Sequence, residues 1–255
     1  MEIQSSIAND IDIIYEDEYL VAINKEEGLL VHRSCLDKGE TRFALQLTPD
    51  AVGCHVFPVH RLDRPTSGVL LFAKSAAVAR SLTETFTERR VTKQYLAVVR
   101  GFIPDKGTID YALSFKPDAI TDKFANLDKP AQEAMTHWQR LAQIELPFAV
   151  SRKHDTSRYS LVRLIPKTGR KHQLRRHMKH LFHPIVGDTS QGDGRHNRFF
   201  RSQYECTRML LHAQCLALSH PVTGEPLLIQ AGLDEQWMNI LQAFDWVDSV
   251  EDLGH

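Results

Sequence analysis

Five consecutive apolar residues, Val69-Leu70-Leu71-Phe72-Ala73, follow a turn-forming stretch that contains Pro65 and Gly68. A run of that length is the size of a β-strand buried on both faces, so it belongs near the centre of a sheet. Other segments supply its neighbours. Ile11-Asp12-Ile13-Ile14-Tyr15 and Leu20-Val21-Ala22-Ile23-Asn24 flank Glu16-Asp17-Glu18 and read as a hairpin. Residues 93–99, 107–113, 159–165, 209–218 and 227–230 also have extended patterns. Three stretches have helical periodicity. Residues 75–89 carry Ser75 as an N-cap, with Val78, Leu82 and Phe86 on one stripe. Residues 169–182 and 234–244 are the others. Strands outnumber helices and do not alternate with them. The expected class is therefore α+β, with a mixed, mostly antiparallel sheet flanked by helices and loops. Residues 118–130 and 187–198 lack periodicity and read as surface loops. The second is rich in Gly and Asp but lacks the order of a phosphate-binding P-loop.

The 255 residues allow one large domain or two small ones. No repeat or low-complexity linker divides them, so a single domain over 1–255 is expected. No apolar stretch approaches membrane-spanning length, and the first residues lack a signal-peptide pattern. Cys35, Cys54, Cys206 and Cys215 show no CxxC spacing and read as reduced thiols of a cytoplasmic protein.

The net charge of −1 conceals an asymmetry. From Met209 onward there is no Lys or Arg but seven acids, which leaves the first 208 residues at about +6. Seven basic residues and no acid lie between Arg163 and Lys179. A solvated helix face usually mixes signs, so this run points to a polyanion such as RNA.

The chemistry concentrates in His60-Arg61-Leu62-Asp63-Arg64-Pro65-Thr66-Ser67-Gly68. The turn presents Asp63 between two guanidinium groups, and nearby positive charge favours the ionised form of a carboxylate. Such a group serves as nucleophile or base. From position alone a structural Asp bonded to turn amides fits as well. On a helix over 169–182, Leu174, Met178, Leu181 and Phe182 form the inward stripe. Arg170 lies one turn before Leu174 on that stripe, and Arg175 lies on an outer face. A guanidinium at the edge of an apolar stripe needs an anion, and Asp63 is the natural candidate.

These residues fall within blocks that resemble the RluA-type pseudouridine synthases. They are HRLDRPTSG (60–68), KQYLAVVRG (93–101) and LIPKTGRKHQLRRH (164–177), extended by IIYEDEYLVAINKEEGLLVH (13–32), HPIVGD (183–188) and LLHAQCLALSHP (210–221). The resemblance covers nearly the whole chain. It implies the pseudouridine synthase fold and isomerisation of uridine in RNA without cofactor or metal. It also implies a monomer. No basic region precedes Ile11, so the S4-type RNA-binding domain that some members carry is expected to be absent. Asp63 matches the family's catalytic aspartate. Arg61 matches the arginine that replaces the flipped nucleotide, Tyr95 the tyrosine packed on the base, Arg170 the arginine paired with the aspartate, and Leu174 the aliphatic residue beneath the base. TGRKHQLRRH, HRSCLDKGE (32–40) and AGLDEQWM (231–238) look most like members acting on tRNA, at uridine 65 of the acceptor–T-stem region. One departure is Lys25-Glu26-Glu27-Gly28, where the family usually has Lys-Pro-x-Gly. It leaves the shape of that loop open.

Three rival readings are weaker. His172, His177, His180 and His183 invite a zinc site, but without HExxH or a nearby acid. Thr66-Ser67-Gly68 lacks the GxSxG of a serine hydrolase. A non-catalytic RNA-binding module gives no reason for Asp63, Arg170 and Tyr95 together. A ribosomal RNA substrate is the alternative to tRNA.

Overall fold

The apolar run does occupy the interior of a sheet. In a computed structural model, which describes residues 11–32, 42–114, 130–151 and 153–251, it forms β4 (Ser67–Ala73), buried at every position. Ahead of it come the hairpin β1 (Asp12–Glu16) and β2 (Leu20–Lys25), then α1 (Ala44–Val52) and β3 (Phe57–Pro58). After it follow α2 (Ala76–Thr87), β5 (Thr92–Arg100), β6 (Lys106–Asp110), β7 (Met135–Leu146), β8 (Ser157–Pro166), α3 (Gln173–His180), α4 (Gly194–Tyr204), β9 (Leu211–Ser219), β10 (Pro226–Gln230), α5 (Glu235–Ala243) and α6 (Asp248–Glu251). The described strands form one sheet in the order β1-β2-β4-β9-β5-β8-β7-β6, with β10 on β9 and β3 on β4. The pairing is antiparallel except between β4 and β9. The α+β class is therefore as expected.

Strand alternation gives the sheet two apolar faces. On one, Leu20, Leu71 and Ala73 pack with Val78 and Leu82 of α2, and Leu96, Val98 and Leu161 pack with Trp237, Ile240 and Leu241 of α5. On the other, Val21, Ile23, Leu70 and Phe72 meet Ala44 of α1, while Ala97, Val99, Val162 and Leu164 meet Leu174 and Met178 of α3. This second face carries the site. The β4–β9 contact is confined to Ser67↔His212 and Gly68↔Ala213. Gly68 has φ +109°, and a Cβ there would lie 2.2 Å from the Ala213 carbonyl oxygen. Only glycine lets the strand leave the Asp63 turn at this approach.

Ser75 caps α2 through Val78 N–H, as its sequence indicates. Three expectations change. The second helix is shorter than 169–182, because His172 at its N-cap is left-handed, with φ 54°. Residues 187–198 are not a surface loop throughout. Gly194 opens α4, capped by Asp193, and Asp188 is buried. The basic run between Arg163 and Lys179 is not a single surface. Arg163 points away from the face that Leu164 shares with α3, and Arg175 is buried. Residues 118–129 of the first loop and 33–40 of HRSCLDKGE lie outside the described residues.

Candidate active site

The Asp63 turn is closed by main-chain atoms, since Asp63 O accepts Thr66 N–H at 2.9 Å. Its carboxylate is directed instead at α3. Arg175 Nη1 donates to Asp63 Oδ2 at 3.1 Å, and His172 Nε2 lies 3.9 Å from Oδ1. Of the two sequence readings of Asp63, the geometry thus favours a side chain free of capping duty.

The loop is braced from beneath. Leu62 is buried among Val21, Ile23 and Leu70. Fully buried Lys25 donates through Nζ to the carbonyls of Glu26, Leu29 and Arg64 at 2.8, 2.8 and 3.1 Å. Gly28, at φ +84°, donates its N–H to the same Arg64 carbonyl at 3.0 Å, and Arg64 Nε donates to Gly28 O. The departure Glu26-Glu27 therefore still closes into a turn that grips the Asp63 loop. On the far side, Arg208 Nη2 donates to Ser67 Oγ. The Ala231 carbonyl can only accept, so His212 Nε2 carries a proton toward it at 3.2 Å; burial keeps the ring neutral, which leaves Nδ1 to accept from Ser67 Oγ at 2.7 Å.

Burial pushes His212 down from 6.5 to about 4. Between those values the unfolded chain binds a proton that the folded chain refuses. Stability is therefore complete above pH 6.5 and declines as pH falls toward 4, by up to about 1.4 kcal/mol per pH unit for this group. Buried His177 and His196 shift in the same direction. Urea unfolding between pH 6.5 and 4 is expected to show this slope, reduced in His212→Asn. An unchanged slope in the variant would remove His212 as a source.

Arg170 does not pair with Asp63. Its Nε donates to the Glu133 carbonyl at 3.0 Å. The reason is where α3 begins. Buried Gln173 accepts Thr168 Oγ1–H and Arg170 N–H, and donates to Met135 O and Thr136 Oγ1. Residues 169–172 are thereby held in a turn ahead of the helix, off the Leu174 stripe. Arg175, which sequence periodicity turns outward, takes the role. Its Nε and Nη2 grip Asp188 Oδ2 and Oδ1 at 2.7 and 2.9 Å, and Nη2 also reaches Ser190 Oγ. Burial alone would raise the Asp188 carboxyl, but Arg175 and the amides of Gln191 and Ser190 outweigh it and hold it below the usual range.

A cleft of about 720 Å³ opens above Asp63 and is lined by all five predicted site residues: Arg61, Asp63, Tyr95, Arg170 and Leu174. Leu174 forms floor at the first turn of α3, and Arg61 is exposed at the rim. Burial first, then the Asp63 charge, push the Tyr95 phenol up, so it stays protonated. Arg89, Lys93, Lys167 and Lys171 add positive charge, and Asp63 is the one acid among the described lining residues. The histidines of the zinc reading have separate partners: His177 meets Thr136 and Tyr111 O, His180 stacks on Tyr111, and His183 meets Arg100 O. Sequence reasoning missed Arg175, Asp188, His172 and Lys25. Asp188 ends the HPIVGD block, which was its available signal.

The family model for RNA pseudouridylate synthase matches residues 19–180. The chain belongs to that family. It is an RNA pseudouridine synthase, an isomerase. Curated relatives agree. The tRNA pseudouridine synthase C of Vibrio parahaemolyticus is 53% identical over 241 residues, covering 94% of this chain and 98% of its own. That of Pasteurella multocida is 54% identical over 236 residues, covering 92% and 97%. Among solved structures, Human RNA Pseudouridylate Synthase Domain Containing 1 superposes with TM-score 0.67 at 26% identity, covering 96% of this chain and 98% of its own. Human RNA Pseudouridylate Synthase Domain Containing 4 gives 0.66 at 27%, covering 92% and 93%. The pseudouridine synthase fold expected from the sequence is thereby established. Among the described residues no helix is long and apolar enough to cross a membrane.

Proposed function

We propose that this synthase isomerises a uridine of tRNA, uridine 65 of the acceptor–T-stem region, with Asp63 as the catalytic carboxylate. The observation that carries the reading is the Asp63 carboxylate, fixed by buried Arg175 at the base of a basic cleft. The names of the curated relatives support tRNA as the substrate.

A stem uridine is unreachable while stacked, so it is extruded into the cleft at roughly a few kcal/mol. Arg61 at the rim takes the vacated place, and phosphate contacts by the basic rim offset part of the penalty. The C1′–N1 bond then breaks. Asp63 acts either by attack at C1′ or by removing the C2′ proton, and both routes need an ionised carboxylate beside the ribose. The detached uracil turns between Tyr95 and Leu174, which hold a flat ring without fixing its in-plane orientation. C5 bonds to C1′ as the Asp63 ester bond breaks or as C2′ regains its proton, the C5 hydrogen leaves to solvent, and N1 takes up a proton.

That last step supplies the test. Unmodified tRNA and ribosomal RNA, each tritiated at uridine C5, are incubated with the enzyme with and without EDTA. Release from tRNA, indifferent to EDTA, is expected, with a carbodiimide-dependent primer-extension stop at position 65. Product in ribosomal RNA alone would overturn the substrate, a stop elsewhere would overturn the position, and EDTA sensitivity would revive a metal reading.

A further inference from the structure

Arg175 is divided between two carboxylates, and the division is unequal. Asp188 takes two of its nitrogens, Nε and Nη2, and leaves Nη1 for Asp63. The Asp188 side chain has no solvent exposure, whereas that of Asp63 is 21% exposed. Asp188 is also the better anchored. Its Oδ1 accepts the amides of Ser190 and Gln191 at 2.9 and 2.8 Å, and its carbonyl accepts Gly192 N–H at 3.1 Å. Asn197 in α4 clasps the same turn, donating Nδ2–H to Asp188 O and accepting Gly187 N–H, each at 2.9 Å. Gly187 has φ +81°, and a Cβ there would meet the Arg208 carbonyl at 1.9 Å.

A guanidinium is planar, so fixing its Nε–Nη2 edge also fixes where Nη1 points. Gripped by Asp188 alone, it would still aim Nη1 at the Asp63 turn. The charge balance has the same sense. Two carboxylates share one cation, so Asp63 faces a guanidinium whose charge Asp188 has already largely taken up.

We infer that Asp188 is a positioning residue of the reaction, acting through Arg175 to set the direction and field in which Asp63 works, with Asn197 holding Asp188 in place. Asp188 touches neither base nor ribose in this role. The inference rests on Asp63 being the catalytic carboxylate.

The test separates rate, binding and stability. Single-turnover tritium release at saturating tRNA, tRNA Kd and urea unfolding are measured for the wild type, Asp188→Asn and Asn197→Ala. Asp188→Asn is expected to lower the rate on the order of 100-fold, the loss that misplacing a catalytic group by about 1 Å produces. Asn197→Ala removes two anchoring bonds and no charge, and is expected to lower the rate by roughly tenfold, within that limit. Both keep the wild-type Kd, because neither residue lines the cleft. A wild-type rate in either folded variant, with or without lower stability, overturns the inference and reduces the turn to scaffolding. If Asp188→Asn does not fold, Asn197→Ala decides alone. Asp63→Asn is run alongside. An inert Asp63→Asn beside a fully active Asp188→Asn sinks this inference alone, whereas an active Asp63→Asn sinks the catalytic reading beneath it.

Discussion

Asp63→Asn is expected to bind tRNA with near wild-type affinity and to release no measurable tritium, a loss of at least roughly 10⁴-fold, as when a catalytic nucleophile or base is removed. The substitution keeps size and shape. The new side-chain carbonyl still accepts from Arg175 Nη1, so the turn between β3 and β4 keeps its contact with α3. An amide has no carboxylate to attack C1′ or to take the C2′ proton. Stability should change little. The Asp63 side chain is 21% exposed, and Arg175 keeps its paired bonds to Asp188. Filter binding, single-turnover release and urea unfolding check the three claims separately. Residual activity within tenfold of wild type would remove Asp63 from the chemistry.

Arg175→Met has the opposite profile, with fold and activity failing together. Methionine fills much of the aliphatic volume but leaves Asp188 without its counter-charge in a site closed to solvent. Breaking a buried ion pair from one side costs about 3–5 kcal/mol. The amides of Ser190 and Gln191 remain and limit the loss to the lower part of that range. Asp63 also loses the 3.1 Å hydrogen bond that Arg175 supplies from α3, so release should fall by at least about 100-fold even in the folded fraction. Arg175→Lys keeps the charge but not the fork that reaches Asp188 and Asp63 together, and should recover stability more than rate. Arg175→Met with wild-type stability would show that Asp188 is not held by this pair.

The two variants separate what the sequence makes legible from what it hides. Asp63, Tyr95 and Leu174 line one cleft, as the family blocks imply; local pattern alone supplied the Pro–Gly turn that presents Asp63 and the inward stripe that carries Leu174, while Tyr95 rested on the resemblance. The partner of Asp63 was not legible. Extending the helix back to residue 169 put Arg170 on the inward stripe; Arg175, about 100° around the axis from Leu174, looked outward because no local pattern shows that Asp188 and the Asp63 turn cover that face. The helix starts at Gln173 instead, because that side chain is saturated by Thr168, Arg170, Met135 and Thr136. Two of those partners lie at the start of β7, which local pattern did not mark because its half-exposed residues are interrupted by a register shift between Arg140 and Ala142. Residues 187–198 were misread for a similar reason. Gly and Asp are loop formers locally, yet here they build the turn that buries Asp188 and the cap of α4.

By itself the sequence determined the α+β class, the central β4, the glycine-bound turn that presents Asp63 and the family, since all of these reside in local composition or contiguous motifs. Only the tertiary structure decided which guanidinium meets Asp63, that Asp188 shares it, and that Lys25 and His212 brace the loop from beneath. Apart from Arg175–Asp188, which are 13 positions apart, those contacts join residues 39 to 145 positions apart. Such pairings follow from strand order and helix start points, which no local pattern encodes.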